Sequence, residues 1–172
     1  MQKQRFSAGQ KPTSNSCLFA IDTDHRRLKM GLLTGKAVVV PWDYSDLSHE
    51  ALGKAIAMAG KADLVHVVHV TQMPPVMEPG MVWGTIDAAS IIKHCEESFS
   101  QIVEKNPSFK GVHFKTLIGD PGLSVAQYAK EHAAELIVIS SHGRTGLSHL
   151  LLGSVAERVV RLAHCPVLVL RK

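Results

Sequence analysis

From Lys36 onward, short runs of β-branched residues alternate with stretches whose apolar positions recur every three or four residues. That alternation predicts a parallel sheet covered by helices on both faces. The first strand, Ala37 to Pro41, is apolar at consecutive positions, as a strand buried on both faces requires. A helix follows over about Asp46 to Ala59, with Leu52, Ala55, Ile56 and Ala59 on one stripe and Gly60 placed to end it. Strand two spans Leu64 to Val70. A connection containing Pro74, Pro75, Pro79 and Gly80 then leads to a helix over about Asp87 to Lys105. Its Ile91, Cys95, Phe99 and Ile102 share a stripe, so Cys95 reads as packing rather than chemistry. Strand three is Val112 to Ile118, and Asp120 with Pro121 makes an N-cap and first helical position for a helix to Ala133. Strand four (Glu135 to Ser140), a helix (Ser154 to Ala163) and a last strand (Val167 to Leu170) complete five strands and four helices. The expected class is α/β, an open five-stranded parallel sheet.

Residues 1–35 break this pattern. They are rich in Gln, Ser, Lys and Arg, with scattered apolar positions, and are expected to form a mobile arm with a short helical turn near Leu28 to Leu33. No acid precedes Asp22, a trait of transit peptides, but an Arg-rich amphipathic pattern is missing. The length of 172 residues then leaves one domain, 36–172. The arm also carries the charge. Residues 1–36 hold seven basic and two acidic side chains, so the net charge of +4 leaves −1 for the other 136 residues. A near-neutral body offers no footprint for nucleic acid. The longest apolar runs are far below the roughly twenty residues that cross a bilayer. Cys17, Cys95 and Cys165 are odd in number and widely spaced, without a Cys-x-x-Cys pair, which points to a reducing, cytoplasmic compartment. Ten histidines invite a metal, yet His66 and His69 lie three apart in a strand and point to opposite faces, while His142 and His149 have no partnering Cys or clustered acids.

Open parallel sheets bind ligands beyond the carboxyl ends of their strands, where neighbouring connections leave on opposite faces. The informative residues therefore follow strands one and four. After strand four comes Ser140-Ser141-His142-Gly143-Arg144-Thr145-Gly146, then a leucine-rich segment, then Gly153-Ser154 opening a helix. Glycines permit close approach of a ligand, and a helix start offers unpaired N–H groups to an anion. Arg144 can add a charged fork to an oxyanion, or be a solvated loop charge. Against the anion reading, Ser154-Val155-Ala156-Glu157 spells a capping box that satisfies the helix start by itself. On these residues alone both readings stand.

Ser141 to Gly146 with Gly153-Ser154 and Cys165-Pro166-Val167 resembles the universal stress protein family. Pro41-x-Asp43-x-Ser45 after strand one and His69-Val70 closing strand two match it too, so the resemblance covers about residues 36–172. It implies a Rossmann-like fold of the adenine nucleotide alpha hydrolase-like type. Members that bind ATP carry Gly, two residues, Gly, nine residues, then Gly with Ser or Thr. Gly143, the nine residues Arg144 to Leu152, and Gly153-Ser154 match, but Ser140 stands where the first glycine belongs. Trp42 is also larger than usual there, and either stacks on a base or fills the pocket. By resemblance, Asp43 and Val70 meet the adenine, and Ile139 to Gly143, with Ser140 among them, lie along the ribose and phosphates. Gly153, Ser154 and Val155 then hold the phosphate chain, and Pro41, Trp42 and Arg144 count among the nucleotide-binding residues. The expected ligand is ATP with Mg²⁺. Asp43 has a structural alternative as a turn residue before the helix, and Val70 as strand packing.

The leading expectation is a cytoplasmic stress-response regulator that binds ATP and changes partners or assembly with nucleotide state. The chain has no Gly-x-Ser-x-Gly elbow and no P-loop. A slow ATPase or nucleotidyl transferase would draw on Ser154, His142 or Asp43. A third alternative is an interaction protein in which Ser140 and Trp42 close the site to nucleotides. The last strand, short and apolar, invites pairing at a sheet edge with a second copy, and a homodimer is also what the resemblance implies.

Overall fold

The computed structural model describes residues 33, 35–72, 88–142 and 152–171. The arm expected over 1–35 thus lies, but for Leu33 and Gly35, outside the described residues. The elements follow the order β1 (Val38–Trp42), α1 (Asp46–Ala59), β2 (Val65–Thr71), α2 (Ala88–Lys105), β3 (His113–Ile118), α3 (Pro121–Glu131), β4 (Leu136–Ser140), α4 (Ser154–Leu162) and β5 (Val167–Leu170). Two single 3₁₀ turns, Ala62–Leu64 and Pro107–Phe109, precede β2 and β3. These bounds differ from the sequence reading by one or two residues at several ends. The largest gain is Trp42, which belongs to β1 rather than to the loop beyond it.

Local chemistry marks most ends. Ser45 caps α1 by accepting from the Ser48 amide at 3.2 Å. Gly60 closes the same helix at φ 73°, a left-handed conformation that a glycine takes without steric cost, and its N–H reaches Ile56 O. Asp120 caps α3 through the Leu123 amide at 2.9 Å, with Pro121 in the first turn.

All strand pairs are parallel, in the order β3-β2-β1-β4-β5. The chain moves outward from β1 through β2 to β3, then returns to the other side of β1, so the order reverses between β1 and β4. Alternation along β1 sorts its side chains into two layers. Val38, Val40 and Trp42 pack with Leu52 of α1 and Phe99 of α2. Val39 packs with Val68, Ile137, Val125 of α3 and Val159 of α4. His66 and His69 divide in the same way: His66 meets Tyr128 of α3, and His69 meets Tyr44 on the α1–α2 side.

Pro41 sets the shape of the reversal point. The β1–β2 ladder runs from Val38 to Trp42, whereas the β1–β4 ladder ends at Val39. Ala37 O accepts from Glu135 N at 3.0 Å, so residue 37 addresses β4, and by alternation residues 39 and 41 do as well. At 41 there is no N–H to give. The two strands part there while β4 stays paired with β5 as far as Ser140.

The helices α3 and α4 meet at Gly122, where an added Cβ would lie 2.7 Å from both Cβ and Cγ of Arg158. Arg158 also reaches Asp120 Oδ2 at 3.0 Å, so the residue that caps α3 ties it to α4. Gly122→Ala is expected to destabilise the protein by about 1–3 kcal/mol through overpacking, although Ala is the better helix former. Urea denaturation compares the two, and a variant at least as stable as the parent would contradict the crossing.

Candidate functional site

Beyond the parted ends of β1 and β4 lies a cavity of about 360 Å³, within the range of small-molecule sites. Its floor is Pro41, Val68, Val70 and Ile139; Pro121 and Val125 of α3 form one wall, and Gly153 to Ala156 at the start of α4 form another. Of the expected site residues, Pro41, Trp42, Asp43, Val70, Ile139, Ser140, Gly153, Ser154 and Val155 all line it. Gly143 and Arg144 lie outside the described residues. Motif reading missed Val68, Pro121, Val125 and Ala156, because a motif does not say which helix folds over which strand end.

At the β1 end, Asp43 Oδ1 accepts from Ser45 N at 3.1 Å and from Ser45 Oγ at 2.6 Å. The Asp43 carboxylate thus orients the serine that caps α1, so its structural alternative is realised while it also faces the cavity. The intervening Tyr44 sits at φ 65°, a conformation uncommon for a bulky residue. Two tethers hold it: its ring lies 4.9 Å from that of His69, and its hydroxyl donates to Cys95 O at 3.1 Å. His69 Nδ1 in turn donates to Trp42 O at 2.8 Å, locking the end of β1 to β2.

The two bulky positions do not close the cavity. Trp42 is 3% exposed, and its indole lies edge-on to Phe99 and beside His49, within the α1–α2 layer. Neither stacking on a base nor plugging the pocket is open to it from there. Ser140 follows Val138 in the strand alternation, which assigns its side chain to that same layer and leaves its backbone to the cavity. Ile139, between them, carries the cavity-side layer.

At the β4 end, Ser141 N donates to Leu170 O and Ser141 O accepts from Gly153 N, both at 2.8 Å. The exit of β4 and the start of α4 are therefore stapled together. This explains Gly153: a Cβ there would lie 3.0 Å from Ser141 O. Ser141 is buried, with its Oγ 3.0 Å from His142 Nδ1, and His142 Nε2 is buried without a partner among the described residues.

Of the two readings of Ser154 to Glu157, the capping box does not form. Gly153 is the N-cap and has no side chain to accept from the first amides, which shifts Ser154 to the first helical position and Glu157 to the fourth. Glu157 N bonds Gly153 O, and Glu157 Oε1 lies 4.0 Å from Arg161. The amides of Ser154, Val155 and Ala156 precede the first intrahelical bond and open onto the cavity wall, where a helix dipole presents its positive end. An anion finds donors there. Among the described residues no group of His, Cys, Asp or Glu could hold a metal ion, and no helix is long and apolar enough to cross a membrane.

Two outcomes follow. Ser154→Ala is expected to cost under ~0.5 kcal/mol of stability, as at an ordinary surface position. Asp120→Ala, which removes a true cap, should cost about 1 kcal/mol. Thermal or urea unfolding separates them, and equal losses would restore the capping box. Burial first, then the Cys95 side chain by its charge and its hydrogen bond, push the Tyr44 phenol up to about 12. Burial and Glu131 raise that of Tyr128. The stability stored at Tyr44 is present below its ordinary value of 10 and lost as pH rises through about 12. Spectrophotometric titration should show a late step that Tyr44→Phe removes; full tyrosinate absorbance near the ordinary value would refute it.

A model of the Universal stress protein family matches residues 35–171. The Universal stress protein MJ0531 of Methanocaldococcus jannaschii is 37% identical over 142 residues, covering 80% of this chain and 82% of its own. Among solved structures, the universal stress protein UspA from Lactobacillus plantarum superimposes with a TM-score of 0.60 at 25% identity, over 79% of this chain and 97% of its own. A universal stress protein in complex with cAMP gives a TM-score of 0.56 at 22% identity, over 78% and 96%, a likeness of fold.

Proposed function

This chain belongs to the universal stress protein family, and from that premise we propose that its cavity binds an adenine nucleotide, ATP with Mg²⁺ being the ligand that fits best. The observation that carries the reading is the bare start of α4. Three amides without a capping side chain border the cavity, 360 Å³ in volume and floored by aliphatic side chains. A flat apolar base suits Val68, Val70 and Ile139, and a phosphate chain suits the helix start. Asp43 keeps Oδ2 for an exocyclic amine while Oδ1 holds Ser45. Mg²⁺ would accompany the phosphates as their counter-ion, coordinated by phosphate and water. A protein of the same fold is known in complex with cAMP.

In this reading the protein is a cytoplasmic stress-response regulator, and nucleotide state alters its partners or its assembly. The last strand supports a homodimer: β5 is an edge of the sheet and its four residues are all half-buried.

Isothermal titration with ATP, AMP and cAMP tests the site. Saturable binding of at least one of them is expected, and Ser140→Gly should leave its Kd within about threefold, because that side chain belongs to the opposite layer. No heat with any of the three would remove the nucleotide reading. ATP affinity that appears only in Ser140→Gly would favour the closed, nucleotide-free interaction protein instead.

A further inference from the structure

At the end of the sheet opposite the cavity, three imidazoles and a phenol meet. His66 of β2 pairs in register with His113 of β3, their rings 4.9 Å apart. From above, α3 brings Tyr128 and His132. The Tyr128 hydroxyl lies 3.0 Å from His66 Nδ1, and the His132 ring lies 5.2 Å from that of His66. Tyr128 and His132 stack at 3.9 Å and 20°, and His132 Nδ1 donates to Tyr128 O at 2.9 Å. Tyr128 is the anchor, being buried against Val39, Val68 and Ala129. The helix ends one residue before His132, and Ala133 beyond it takes φ 47°.

We propose that His66, enclosed by Tyr128, His132 and His113, is an acid-sensitive latch that fastens the C-terminal end of α3 to β2 at neutral pH and releases it on protonation.

The chemistry is that of a neutral imidazole. Its bare Nδ1 accepts from the Tyr128 hydroxyl, the donor arrangement that lets a buried phenol satisfy its proton. A proton on Nδ1 turns acceptor into donor, so the phenol must rotate and its hydrogen loses that partner. The new charge also lies between the rings of His113 and His132, 4.9 and 5.2 Å away. The groups around it offer little relief. On β3, Lys115 shares the face of His113 and is positive; β1 contributes the apolar Val39; on α3, Glu131 beside Tyr128 is negative but exposed. Burial, then His113, then His132 lower the affinity of His66 for a proton. A folded-state value below the unfolded one gives stability that is complete above the ordinary histidine range and lost as pH falls through the folded value. The loss falls on the last turn of α3, since the rest of that helix is held by Val125, Ala129 and the tie from Asp120 to Arg158.

Amide hydrogen exchange read by NMR at pH 7 and pH 5, with α1 as internal reference, tests the latch on the full chain. Protection over residues 128–134 should fall several-fold relative to α1 in the parent. In His66→Gln, whose amide oxygen still accepts from the phenol, that fall should vanish. His113→Gln, a change at the exposed rim, should shift the His66 imidazole titration upward toward the ordinary range. Unchanged protection in the parent overturns the proposal, as does a parent-like fall in His66→Gln. Should that variant fail to fold, an unmoved His66 titration in His113→Gln overturns it equally.

Discussion

The cavity depends on one missing hydrogen. Pro41 occupies a central strand, where proline is rare because it cannot supply its rung of the ladder. Here the lost rung is the one that would join β1 to β4, and the β1–β2 ladder is untouched because residue 41 does not address that side. The parting of the strands follows from covalent structure. It needs no bound molecule to hold it open, and it occurs at the topological reversal, where the flanking connections already leave on opposite faces.

The contrast among helix starts carries the same logic further. Ser45 and Asp120 satisfy the first amides of α1 and α3 with their own oxygens. Gly153 satisfies none for α4, and the staple between Ser141 and Gly153 crowds any side chain there, since a Cβ would lie 3.0 Å from Ser141 O. One close backbone approach therefore joins β4 to α4 and leaves three amides facing the cavity. Among the described residues no side chain caps α4, so an anion in the cavity would meet these amides directly.

The sequence made most of the architecture legible and part of the site. Consecutive apolar runs identified buried parallel strands, and Gly60, Asp120 and Pro121 marked helix ends, because these signals are local. The Ser154 to Glu157 pattern left two readings open for the opposite reason: the contact that decides the N-cap joins Gly153 to Ser141, twelve positions away, and no local spacing encodes it. Trp42 and Ser140 looked obstructive as long as their strand phase was unknown. Once Val38, Val40 and Val138 fix that phase, both belong to the far layer. Pro121 and Val125 were invisible as wall residues, since their place depends on how α3 crosses the sheet. The cluster around His66 was equally hidden, because its members come from three elements and meet only after folding.

The two-layer sorting of β1 has an evolutionary corollary. Substitutions beneath α1 and α2 act on one packing layer, and those at residues such as Val68 and Ile139 on the layer that floors the cavity. A lineage that inherits such a sheet can repack one side while the shape of the hollow on the other is largely kept.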